Sequence, residues 1–122
     1  MQLNWSKIRN KNPNSFYKFT EWLVQKEGLQ FATLIIDDNN DTSKIDLIQF
    51  NGTPSVFNDI RALYDFFDES NVIVEVAKNG LTNWGYTVMF GNSMSHVHSL
   101  TSRQESEFYG FEMAFRFLEG TV

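Results

Sequence analysis

Two histidines, His96 and His98, stand two apart in the stretch SHVHSL. On a strand that spacing puts both imidazoles on one face, and imidazole is the commonest metal-ligating side chain. A catalytic zinc takes three protein ligands. The chain has two histidines and no cysteine, so a third ligand would have to be a distant carboxylate. The expectation is an exposed strand edge or a mildly pH-sensitive patch, with no metal residue and no cofactor.

Other chemistry-bearing groups fail at mechanically necessary places. Asp37-x-Asn39-x-Asp41 imitates the start of a calcium loop, which needs Gly at its sixth position and a bidentate Glu at its twelfth. Thr42 and Ile48 stand there, so a hairpin turn is expected. Gly91-Asn92-Ser93-Met94-Ser95 lacks the G-x-S-x-G frame of a nucleophile elbow. Glu105 and Glu112 fall on one side of a helix beside Arg103 and Arg116, which points to solvated ion pairing rather than acid–base work. Without cysteine there are no disulfides, thiolate metal sites or thiol nucleophiles. These absences favour a non-enzymatic protein with no catalytic residue.

What remains is a binding inventory. Twelve Phe, four Tyr and three Trp make the 122 residues 16% aromatic. Tyr and Trp are enriched at protein interfaces. The candidate interaction surface is Trp5, Trp22, Trp84, His96, His98 and Arg103, and the partner would be an unidentified protein or a second copy of the chain. The net charge of −5 lies wholly in residues 53–122, with nine acids against four bases. Four bases and no acid (Lys7, Arg9, Lys11, Lys18) fall in the first 18 residues; a solvated N-terminus accounts for them, and arms that bind nucleic acid carry longer basic runs.

The elements that must position these groups are legible from caps and periodicity. Asn12-Pro13 resembles N-cap and first position of a helix whose apolar residues include Phe16, Phe19 and Leu23, with Trp22 beside them and Gly28 as its stop. Residues 29–37 and 44–51 read as strands joined by the polar DDNNDTS. Thr53-Pro54 repeats the helix-start pattern, followed by Phe57, Ile60, Leu63, Tyr64 and Phe67 at helical spacing. Val72, Val74 and Val76 alternate on one strand; Trp84, Tyr86, Val88 and Phe90 alternate on the next. Residues 95–100 add a short further strand. The last helix begins with two overlapping capping boxes, Thr101-x-x-Gln104 and Ser102-x-x-Glu105. It turns Phe108, Phe111, Phe115 and Leu118 inward, sets Gly110 and Ala114 beside them for a close approach to a sheet, and stops at Gly120.

Residues 56–120, about half the chain, resemble small uncharacterised proteins encoded by phages, prophages and related mobile elements of bacteria. The shared features are LYDFFDESN (63–71), a valine-rich strand, the aromatic NWGYTV, and SRQE leading into AFRFLEG. Ser106 and Phe108-Tyr109-Gly110 depart from the Ala-rich turns common in such proteins. The resemblance implies a bacterial or phage setting and assigns no active residue. Helix–strand–strand–(strand)–helix from Pro54 to Glu119 is also the order of double-stranded-RNA-binding domains, which need lysines at the start of the last helix. Ser102 to Glu107 offers Arg103 against Glu105 and Glu107. Nucleic-acid binding is therefore the alternative, and a protein-interaction or assembly module the first reading.

The fold expected is α+β: an antiparallel sheet of four to five strands with three helices, in the order α-β-β-α-β-β-(β)-α. One domain, 1–122, is expected, with 1–12 as a candidate flexible extension. No signal-peptide run opens the chain, and no apolar stretch approaches the roughly 20 residues of a membrane span, which makes the cytoplasm the expected location.

Overall fold

The structure, a computed structural model, describes residues 5–27, 32–36, 45–50, 53–55 and 60–120. The contacts divide the chain into two compact units, residues 2–59 and 60–122. The fold is α+β, but its elements differ from the expected count. Four helices and two separate three-stranded antiparallel sheets are described, in place of three helices and one sheet of four to five strands.

In residues 2–59, helix α1 (Trp5–Lys11) occupies the stretch expected as an extension. Helix α2 (Pro13–Glu27) follows after Asn12 alone. Proline has no N–H and restricts the residue before it, so the helical ladder breaks at this one point. On either side it is intact: Asn12 N donates to the Ile8 carbonyl at 2.7 Å and Phe16 N to the Asn12 carbonyl at 3.0 Å. Ile8, Phe16, Phe19 and Leu23 are buried, and α2 contacts both α1 and strand β1 (Ala32–Ile36). β1 pairs antiparallel with β2 (Ile45–Phe50), matching Leu34 to Ile48. β2 pairs in turn with β3 (Thr53–Ser55). Thr53-Pro54 is thus a strand and not a helix start. Pro54 stands opposite Gln49 at the sheet's edge, where a residue without an N–H is tolerated.

In residues 60–122, helix α3 runs Ile60–Glu69. Its buried residues are Leu63, Phe66 and Phe67, so the inward stripe includes Phe66, which the spacing argument left out, while Ile60 and Tyr64 are half-buried. Phe57 lies outside the described residues. The helix ends in a left-handed cap: Asn71 has φ 63°, Val72 N donates to the Phe67 carbonyl at 2.9 Å, and Asn71 N to that of Asp68 at 3.2 Å. Those two bonds are the Schellman pattern, in which the residues at its two ends also meet as an apolar pair; Phe67 and Val72 are both fully buried.

Strands β4 (Ile73–Asn79), β5 (Asn83–Phe90) and β6 (Ser93–Leu100) follow as an antiparallel meander in that order. The expected short third strand is eight residues long. Gly91, with φ 59°, is the first residue of the two-residue turn between Phe90 and Ser93, the position that favours Gly in a type II′ hairpin. Helix α4 (Arg103–Glu119) packs on all three strands. Val72, Val74, Tyr86 and Val88 face it and are buried. A Cβ on Gly110 would lie 3.4 Å from both Tyr86 Cβ and Val74 Cγ1, the close approach expected of this small residue. Rings join the two helices: Phe67 meets Phe115 edge-on at 4.9 Å and stacks on Phe111 at 6.1 Å.

Candidate functional site

With both helices' apolar faces turned inward, the other face of the β4–β5–β6 sheet carries its own rows of side chains. Register places Ile73, Met89 and Met94 abreast, then Glu75, Thr87 and His96, then Ala77 and Gly85. Ile73 is 47% exposed and Met94 65%. The alternation that buries Val74 and Val88 delivers these neighbours to the opposite face.

The histidines meet here. Their rings stack with centroids 5.2 Å apart and planes 29° apart. Thr87 Oγ1 lies 2.7 Å from His96 Nδ1, because the Gly91-Asn92 turn sets Thr87 directly opposite His96. Beside them is a shallow depression of about 170 Å³ lined by Glu75, Ala77, Gly85, Thr87 and the two imidazoles. Its floor is Gly85. β6 bulges there: Trp84 pairs with Leu100 and Tyr86 with Val97, so two residues, His98 and Ser99, oppose one glycine.

The other sequence-predicted residues lie elsewhere. Trp84 shares the inward register of Tyr86 and is half-buried. Arg103 opens α4 and is exposed. Trp5 is in α1 and Trp22 in α2, in the unit of residues 2–59; Trp22 stacks on Phe19 at 6.2 Å with the Lys26 ammonium 5.8 Å from its ring. The Asp37 loop lies outside the described residues. Among the described residues no group of three His, Cys, Asp or Glu could hold a metal ion, and no helix is long and apolar enough to cross a membrane. Glu75, Thr87 and Met94 were not anticipated. The two-residue turn was the available signal, since it dictates which residues of β5 and β6 stand opposite each other.

The start of α4 has its acids engaged internally. Ser102 caps the helix, accepting from Glu105 N at 3.1 Å. The Glu105 carboxylate reaches back to Thr101, accepting from its N at 3.4 Å and its hydroxyl at 3.3 Å. Of the expected Ser102–Glu105 capping box, the Ser102 half is present, while the Glu105 carboxylate turns to Thr101. Glu107 accepts from the Tyr64 hydroxyl at 2.9 Å. Burial first, then this bond and the carboxylate's charge, push the Tyr64 hydroxyl well above its ordinary value.

The two edges of the sheet differ. β4 carries Glu75 and Lys78. β6, SMSHVHSL, has no carboxylate, lysine, arginine or proline, and among the described residues its one strand neighbour is β5. Phe90 and Ser93 are partners across the two-residue Gly91-Asn92 turn, and the residues that close a two-residue hairpin form a hydrogen-bonded pair. N–H groups of Ser93, Ser95 and Val97 therefore face β5, and those of Met94 and His96 face outward.

Comparison with protein-family models, with curated proteins and with solved structures returned no match.

Proposed function

We propose that this chain is a non-enzymatic assembly module that joins a second copy of itself by pairing β6 with β6 antiparallel. The carrying observation is the uncharged, proline-free β6 edge. Native sheets protect edges with charge, proline or a covering element; β4 has charge and β6 has none of its own. Residues 60–120 hold eight acids against four bases, so two copies repel in general, and a strand without carboxylates is where they can meet. The setting is the one implied by the resemblance of residues 56–120, a phage or mobile element in bacterial cytoplasm.

The alternative, a nucleic-acid binder, shares the element order of residues 60–119 with double-stranded-RNA-binding domains. Its electrostatics run the wrong way, because phosphate contacts dominate such affinity, and Glu105 and Glu107 stand where lysines would be needed.

Light scattering across a concentration series tests the pairing. The expected result is a dimer that Met94→Pro dissociates, since this removes an N–H pointing away from β5 while circular dichroism stays unchanged. A monomer at all concentrations, or a dimer indifferent to Met94→Pro, overturns the reading.

A further inference from the structure

We infer that His96 and His98, from each of two paired copies, form a four-imidazole site for a divalent transition metal, zinc in the first instance, at the two-fold axis of the dimer. The inference rests on the β6 pairing proposed above and adds a ligand to it.

One copy supplies half of a coordination sphere. His96 and His98 share a face and stack at 5.2 Å, so modest ring rotations bring one nitrogen of each to a common ion. Zinc takes four ligands in tetrahedral array, with imidazole nitrogen at about 2.0–2.1 Å. No third ligand stands with them among the described residues of one copy, and a chain without cysteine leaves imidazole and carboxylate as its ligands.

Symmetry supplies the rest. The outward-facing backbone groups of β6 sit at Met94 and His96, so antiparallel pairing must match even-numbered residues with even-numbered ones. The two registers nearest the centre of the strand place His96 opposite either His96 or His98 of the second copy. Side chains directly opposite have Cβ atoms about 4.5–5.5 Å apart. A two-fold axis perpendicular to the sheet keeps both open faces on the same side. The register with His96 opposite His98 gathers all four imidazoles around that axis, whereas His96 opposite His96 leaves the two His98 side chains four residues, about 13 Å, apart. The metal site therefore selects the register with His96 opposite His98. An isologous contact doubles whatever each copy presents, and two ligands become four.

Thr87 completes the arrangement. Metal-bound histidines commonly donate their second ring N–H to a fixed acceptor. With Nδ1 of His96 at 2.7 Å from Thr87 Oγ1, the hydroxyl can accept that N–H and leave Nε2 to the metal. A divalent cation also offsets the repulsion between two acidic units.

The test uses the full chain, stripped with EDTA and freed of chelator, and titrated with zinc chloride alone. Calorimetry should give one zinc per two chains, and sedimentation equilibrium should show the dimer at least tenfold tighter with zinc. His98→Ala, which leaves the Thr87–His96 contact in place, should abolish the zinc effect and keep the zinc-free association; His96→Ala should do the same. A dimer that zinc fails to tighten, zinc bound one per chain, or binding untouched by both variants overturns the metal site and leaves the edge pairing standing. A chain monomeric with and without zinc overturns both.

Discussion

Gly85 and Val97 stand so close that a methyl group on Gly85 would fall on the Val97 carbonyl oxygen, with His98 Cα only 2.6 Å away. The β6 bulge brings its backbone across the glycine, and the same contact orders His96, Val97 and His98.

Gly85→Ala should therefore act on the site through the fold. Both obstructing atoms are backbone, so the strands must part, at a cost of about 3 kcal/mol or more. Urea unfolding should show that loss, and hydrogen exchange should be faster along β6 than in α4. A substitution costing under about 0.5 kcal/mol, the range of an ordinary surface change, would contradict the bulge geometry.

Tyr64→Phe removes the hydroxyl that Glu107 accepts from at 2.9 Å while keeping the ring on Phe111 at 4.9 Å. The expected cost is about 1–2 kcal/mol, because a half-buried carboxylate loses a donor. The pH dependence follows from the raised hydroxyl. An unfolded tyrosine loses its proton near 10 while folded Tyr64 keeps it. Its contribution is present in full below about pH 10 and is lost as pH rises further. Tyr64→Phe should flatten stability against pH on that alkaline side.

Asn71, at φ 63°, separates two kinds of replacement. Glycine adopts that conformation without strain, so Asn71→Gly should match or slightly exceed the parent in thermal stability. Asn71→Val should cost about 1–2 kcal/mol, the penalty of a left-handed backbone for a residue with a crowded Cβ. Equal melting temperatures for the two would argue against the cap.

Phe67 and Ile73 test which face of the sheet carries the core. Phe67 is fully buried and Ile73 is 47% exposed. Phe67→Ala should cost about 3–5 kcal/mol, and Ile73→Ala about 0.5 kcal/mol or less. A large loss from Ile73→Ala at concentrations where the chain is monomeric would mean that this face is covered within one copy.

Much of the fold is legible locally. The inward stripe of α4, its Ser102 cap and the close approach at Gly110 follow from spacing and side-chain chemistry, as do the valine alternation of β4 and the helix start at Pro13. Thr53-Pro54 was misleading because its two readings, helix start or edge strand, use the same residues. The choice depends on whether Ile48 to Phe50 offers a ladder to join. The inclusion of Phe66 in the core of α3 depends likewise on a second helix, since its ring lies 6.3 Å from Phe115.

The histidine pair divides the same way. That His96 and His98 share a strand face follows from a period of two, a property of the chain alone. Thr87 beside His96, the depression over Gly85 and the contrast between a charged β4 edge and an uncharged β6 edge follow from strand pairing. Pairing is a relation between distant residues, settled by which register buries Val74, Tyr86 and Val88 under α4.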